Sequence, residues 1–379
     1  MRFRLLTAVA LALLVCAPAS AAGASRVPAK FFGVMADGPI DNGSVPFAGQ
    51  TAAMRRNNVG SVRIGVYWSD MQPYASPEQV PAAEAGRFRT IDGVPTDFTL
   101  LDARVAAAAS AGLDLMPVVV RTPTWARSEP AQVGSPPVDN AQYARFLEAL
   151  IGRYGPRGSL WSERPRLPKR PLRRWQVWNE PELVKYFSPA VDQNGWAAPY
   201  VQLLSAASGA IRAADPGATV VAAGVTGRTW DDLHKIYAAG GRKSFDVAAI
   251  HPFSARVENV LKIVQLTRAE MRRSGDGTKP LALTEVSWSS GLGRSSFNYG
   301  WETSEAGQAA RIRAVLPKLA AERRAWHLAG VWWYTWVSWP LGAPNSFDYA
   351  GLRRQSAGSK LVDKPALRAW RTTVRRLTQ

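Results

Sequence analysis

Sulfur chemistry is nearly absent from this chain. Its 379 residues hold one cysteine, Cys16, and that residue falls in a segment set apart by its own composition. Disulfide frameworks and thiolate metal sites are thereby excluded from the rest of the chain. Histidine is almost as scarce: His234, His251 and His327 show no ligand spacing, and no calcium-loop signature accompanies them, so neither a metal nor any other cofactor is expected. No G-x-S-x-G elbow follows a strand, which disfavours a serine hydrolase. No glycine-rich phosphate loop follows the first strand, which disfavours an open dinucleotide-binding sheet. Gly/Ser linkers and low-complexity blocks are missing too, so one continuous domain is expected. Acidic residues are outnumbered, 29 against 47 Lys and Arg, for a formal charge of +18. No motif organises the arginines into a nucleic-acid-reading face. The excess reads either as solvated helix faces or as attraction to an anionic, cell-wall-type polymer.

The long apolar run occurs only at the start. Met1-Arg2-Phe3-Arg4 precedes an apolar stretch from Leu5 to Cys16, then small residues at A-x-A spacing through Ala22. This is the pattern of a secretory signal peptide, 1–22, too short to span a membrane stably. A secreted, extracellular, monomeric protein of residues 23–379 is the expectation, without stable membrane insertion.

From there the chain alternates. Apolar strand-type runs fall at 31–36, 61–68, 113–120, 175–179, 219–225, 245–250, 281–285 and 328–336. Helical patterns fall between them at 47–58, 99–111, 140–154, 198–214, 231–239, 257–273 and 304–326, and a last one at 364–377. Most of the strands are continuous apolar runs without alternation, as in strands buried on both faces. The segments 70–98 and 155–174 read as irregular excursions. Eight such units argue for an α/β fold of one parallel sheet closed as a (β/α)8 TIM barrel, with a doubly wound sheet as the alternative.

In a barrel the polar residues at strand C-terminal ends converge on one rim. Those residues are Arg63, Asn179, Glu180, His251 and Glu285. Glu180 ends the fourth strand in Trp178-Asn179-Glu180-Pro181, and Glu285 ends the seventh in Thr284-Glu285-Val286-Ser287-Trp288. Two carboxyls about 5–5.5 Å apart across such a mouth would let one attack an anomeric carbon while the other protonates the leaving oxygen. Arg63, a charge inside an apolar strand, reads equally as an internal ion-pair partner or as a site residue, and His251 equally as a buried, hydrogen-bonded core histidine. Aromatic rings crowd the strand ends: Trp68, Trp125, Trp288, Trp333 and Trp336 are candidates for stacking on sugar faces, with barrel packing as the other reading. The pair Trp332-Trp333 must send one ring inward and one outward. Glu182, two residues past Glu180, is expected to face solvent.

These two strand-end runs resemble those of the clan A glycoside hydrolases, most closely the family 39-like and family 5-like members, over essentially the whole of 23–379. Gly351-Leu352 and Lys364-Pro365-Ala366 resemble the tail after the eighth strand in that clan. The resemblance implies a retaining hydrolase of poly- or oligosaccharides. In it Glu180 matches the acid/base, Glu285 the nucleophile, Asn179 a binder of the sugar 2-hydroxyl, and Arg63 and His251 supporting residues. It departs at His251-Pro252-Phe253, where clan members often carry a tyrosine that hydrogen-bonds the nucleophile. That departure keeps open a second expectation, a catalytically inactive carbohydrate-binding barrel.

Overall fold

The computed structural model describes residues 26–188, 195–356 and 360–379. The expected leader, 1–22 with Cys16, lies outside the described residues. Eight parallel strands close on themselves: β1 Phe32–Ala36, β2 Ser61–Tyr67, β3 Asp114–Val120, β4 Arg174–Val177, β5 Thr219–Thr226, β6 Val247–His251, β7 Leu281–Val286 and β8 Leu328–Trp333. Each pairs with its sequence neighbours, and β1 also pairs with β8, with Phe32 opposite Val331 and Val34 opposite Trp333. Eight helices follow the strands in turn: α1 Ala48–Arg56, α2 Thr99–Ala111, α3 Asn140–Tyr154, α4 Ala197–Ala214, α5 Thr229–Ala238, α6 Val257–Arg273, α7 Glu305–Glu322 and α8 Pro365–Thr378. The chain is therefore a (β/α)8 barrel, and the doubly wound alternative is excluded by the closure.

Local chemistry sets the helix ends. Asp139 caps α3 by accepting from the Ala141 N–H, and Ser304 caps α7 by accepting from the Gly307 N–H. Gly112 ends α2 in the left-handed conformation, φ 72°, and Pro365 opens α8 where a missing N–H costs nothing.

Two apolar bodies hold the barrel together. The larger lies between strands and helices. The smaller fills the barrel interior with Met116, Val221, Val247, Ala249, Ala282 and Trp332. Trp332 is thus the ring that points inward. It fits because Gly33 and Gly330 face it, and a Cβ on Gly33 would stand 2.4 Å from its ring. Trp333 points outward, tilts against Trp288 at 6.3 Å and donates its N–H to the Ala350 carbonyl.

The segment 70–98 is not wholly irregular. Phe88–Ile91 and Val94–Asp97 form an antiparallel hairpin, turned by Asp92 and Gly93 at φ 47° and 83°. An Asp-Gly pair is the residue choice for such a turn, and it was legible in the sequence. Within 155–174, Ser159–Glu163 adds one helical turn that buries Leu160 and Trp161. Past β8, Val337–Ser338, Arg353–Gln355 and Leu361–Asp363 make a small sheet. The buried Lys364 ammonium pins its exit, donating to the Tyr349 and Gly351 carbonyls at 2.9 and 2.6 Å.

Candidate active site

A cavity of about 430 Å³ opens at the C-terminal ends of the strands, a size ordinary for a small-molecule cleft. Glu180, Glu285, Asn179 and Arg63 all line it. In a regular strand Asn179 and Glu180 would point to opposite faces. They share the cleft because the backbone leaves β4 through left-handed conformations, φ 68° at Trp178 and 42° at Glu180. Such conformations cost on the order of 1–3 kcal/mol each outside glycine. Two bonds across the strand ends hold them: Trp178 N–H to the Val119 carbonyl and Glu180 N–H to the Gly224 carbonyl.

Arg63 is fully buried and acts as the hub. Its guanidinium donates to Glu285 Oε1 at 2.6 Å, to Gln176 Oε1 at 2.6 Å and to Asn179 Oδ1 at 2.7 Å. The ion-pair reading and the site reading of Arg63 are therefore the same contact. His251, also fully buried, lies behind the carboxyls. Its Nδ1 is 2.8 Å from Glu180 Oε1 and its Nε2 is 3.0 Å from Thr284 Oγ1 and 3.7 Å from Glu285 Oε1. The ring passes so close to β5 that only glycine fits at 224, where a Cβ would stand 2.1 Å from Nε2.

Burial sets the protonation of this group. It pushes Glu180 up to about 7, with Lys185 and Arg63 pulling the other way. It pushes His251 down to about 4, so the imidazole is neutral near pH 7. Glu285 is raised by burial as well, with the Arg63 charge pulling the other way. The difference between the two carboxyls is geometric. Glu285 has a guanidinium on one oxygen, whereas Glu180 has a neutral ring, so Glu285 ionises first and Glu180 keeps its proton. Carboxylate oxygens of the two and a His251 nitrogen all lie within 4.8 Å of one another. Three such groups could offer a metal ion its donors, but here the Glu285 oxygen faces a guanidinium and both imidazole nitrogens have partners. The set is arranged around protons.

The tryptophan expectations need correction. Trp68, Trp288, Trp333 and Trp336 are fully buried, and neither they nor the half-buried Trp125 line the cleft. Trp68 stacks on Phe146 and donates to Gln72, Trp288 donates to the Ala255 carbonyl, and Trp336 donates to Gln50. Trp125 donates to the Gln72 carbonyl and borders a separate hollow. Trp68 and Trp125 lie in short helical turns past β2 and β3, and Trp288 and Trp336 lie past the ends of β7 and β8, so strand alternation does not aim them at the cleft. The cleft is walled instead by tyrosines at 67, 186, 299 and 334, with Trp178 and Phe347. Glu182 is a second correction. Its Oε1 accepts from the Thr226 N–H at 2.5 Å and its Oε2 is buried without a partner among the described residues. Burial, then the nearness of the Glu180 carboxyl, raises its pKa well above the ordinary glutamate value.

Sequence reasoning missed Asp37, Gln176, Thr284 and Arg121. The rule used for Glu180, polar residues at or just past a strand end, would have found Asp37 after β1 and Arg121 after β3. Asp37 accepts from the Tyr334 hydroxyl at 2.7 Å.

No protein-family model matches this sequence, and no curated protein matches it. Solved structures do share its fold. A monomeric β-xylosidase from Caulobacter crescentus CB15 superposes with a TM-score of 0.61 at 17% identity, over 91% of this chain and 68% of that one. A family 39 glycoside hydrolase from Bacteroides cellulosilyticus WH2 gives 0.61 at 18% identity, over 93% and 64%. An α-L-arabinofuranosidase from Thermotoga maritima gives 0.59 at 12% identity, over 93% and 72%. The chain spans about two thirds of the length of the first two, and at these identities the likeness is one of fold.

Proposed function

We propose that this chain is a secreted, retaining glycoside hydrolase of the clan A type, acting on a poly- or oligosaccharide by double displacement. The observation that carries the reading is the closeness of two unequal carboxyls. Oxygens of Glu180 and Glu285 lie within 4.8 Å, a spacing suited to direct attack. An inverting pair needs about 6.5–9.5 Å to admit a water.

In this reading Glu285, ionised against Arg63, attacks the anomeric carbon. Glu180 gives its proton to the departing oxygen, then takes one from the water that releases the sugar. Glu180, raised to about 7 by burial, carries a proton at neutral pH and below. Asn179, fixed by Arg63, presents its amide to a sugar hydroxyl. The tyrosine walls supply faces for pyranose rings and hydroxyls for their edges. Phe253 offers Glu285 no hydrogen bond, and that gap was the support for a barrel that only binds sugar. Arg63 supplies the donor, which favours the enzyme. The basic surface fits an anionic or cell-wall-associated glycan, and the 1–22 pattern fits export.

The test is chemical rescue. Glu285→Ala with an activated aryl glycoside and azide should release a glycosyl azide of inverted configuration. Glu180→Ala should give the retained azide and keep activity only on good leaving groups. Near-wild-type turnover of the natural glycan by Glu285→Gln would sink the assignment.

A further inference from the structure

The walls of the cleft differ in charge. On the β1–β8 side stand Asp37 and Asp348, and on the β3–β4 side stand Arg121 and Lys185. Arg121 directly follows β3 and is held at φ 64°, which lays its guanidinium over the Tyr67 ring at 3.9 Å from the centroid. Lys185, in the loop after β4, places its ammonium 4.4 Å from the centre of the Tyr186 ring. Ring faces attract cations and restrict where a long side chain points. Among the described residues neither cation has a carboxylate within ion-pair distance. Most cations elsewhere on the rim are engaged. Arg63 holds Glu285, and Arg104 lies 3.5 Å from Asp41, which also accepts from the Tyr67 hydroxyl. Two cations, each seated on a tyrosine face in a cleft wall and each without a carboxylate in ion-pair distance among the described residues, fit a ligand that brings one.

Their place in the reaction follows from the two glutamates. The anomeric carbon must lie against Glu285 and the leaving oxygen against Glu180, so the path from Glu285 to Glu180 runs from the retained sugar toward the departing one. Lys185 follows Glu180 by five residues in the same strand-exit loop, and its charge lowers the proton affinity of Glu180. Arg121 ends the neighbouring strand. Resting on the glycosidase reading above, we propose that Arg121 and Lys185 form a subsite for an acidic substituent, a carboxylate or a sulfate, on the sugar that leaves. The substrate would then be a glycan with an acidic residue on the reducing side of the cut. Asp37 and Asp348 repel the same group from the other wall, which sets the direction in which such a chain binds.

A retaining enzyme allows this side to be probed alone. An aryl glycoside found by screening loads Glu285, and an acceptor sugar then competes with water for the glycosyl-enzyme. In transfer the acceptor oxygen bonds to the anomeric carbon, the ester bond to Glu285 breaks, and the acceptor proton passes to Glu180. Methyl glucuronide, methyl glucoside 6-sulfate and methyl glucoside, offered in equal amounts, report the preference as a product ratio by mass spectrometry. A ratio is unaffected by any general loss of activity. The expected result is capture of an acidic acceptor over the neutral one by roughly tenfold at low salt. That preference should fall toward unity in the Arg121→Gln/Lys185→Gln double variant and persist in Lys185→Arg. Whether the uronate or the sulfate leads identifies the group. Equal capture, no transfer to any of the three, or a preference untouched by the double variant overturns the subsite while leaving the hydrolase standing. A protein that turns over no aryl glycoside and no glycan overturns the hydrolase reading, and the subsite with it.

Discussion

Arg63 donates to Glu285 at 2.6 Å across the barrel interior, and the same guanidinium holds Gln176 and Asn179. One cation thus ties β2 to β4 and β7 and is the proposed nucleophile's only hydrogen-bond donor among the described residues. Arg63→Met removes that positive neighbour, so the Glu285 pKa rises. The acidic limb of the pH–rate profile should move upward by about one unit or more. Leaving a buried carboxylate without its partner is also expected to cost roughly 3–5 kcal/mol. Arg63→Lys keeps the charge but loses the fork, so its limb should move less while its Asn179 contact is lost. An acidic limb that stays put in both variants would contradict this account of Glu285.

Glu180 carries a stability signature. Its folded pKa, about 7, lies above the unfolded value near 4.5, so the neutral form is the one the fold prefers. Its contribution is fully present below pH 4.5 and is lost as pH rises through 7. By pH 8–9 the buried carboxylate costs about 3 kcal/mol. Glu180→Gln should therefore be more stable than the wild type at pH 8.5 and no more stable at pH 4. Denaturant titrations at both values measure the difference, and a pH-independent difference would refute it.

Gly224 predicts a loss without touching either carboxylate. A methyl group there would meet His251 Nε2 at 2.1 Å and Thr284 Oγ1 at 2.7 Å, neither at the free end of a flexible chain. Gly224→Ala should displace the imidazole from Glu180, lower kcat at least tenfold and shift the basic limb, with a stability cost of about 1–3 kcal/mol. Unchanged kcat and limb would show that the imidazole does not position Glu180.

The surface charge has its own test. With a formal charge of +18, encounter with an anionic glycan should be steered, and kcat/KM should fall several-fold between about 10 mM and 150 mM salt, where the Debye length shrinks from about 30 to 8 Å. A neutral aryl glycoside should show a flat dependence. Equal slopes for both substrates would assign the charge to solvated helix faces.

The barrel was legible because its strands are continuous apolar runs and several helices, α2, α3 and α6 among them, stop at or just before a glycine, signals that act over a few residues. Arg63, Asn179, Glu180, His251 and Glu285 were legible for the same reason, as polar interruptions at strand ends. What the sequence did not reveal depended on phase. The backbone flips at Trp178 and Glu180 break the alternation that would otherwise assign faces, so side-chain direction past a strand end could not be counted. The tryptophans were misplaced for a related reason: Trp68, Trp125, Trp288 and Trp336 lie past their strand ends, where alternation assigns no face. Glu182 was misplaced because nothing in a short loop signals that β5 will bury it.

The pairing of β1 with β8 places the first strand of the barrel beside its last. A chain emerging from synthesis in order therefore carries an unpaired β1 edge until nearly all of it exists. Such an edge is a template for mispairing between copies, and long-range closure is slow to form. Fragments ending before β8 should accordingly aggregate instead of folding to partial barrels. A circular permutant that begins elsewhere on the ring would move that exposed edge to a different strand, and its aggregation during refolding would report how much of the hazard belongs to β1.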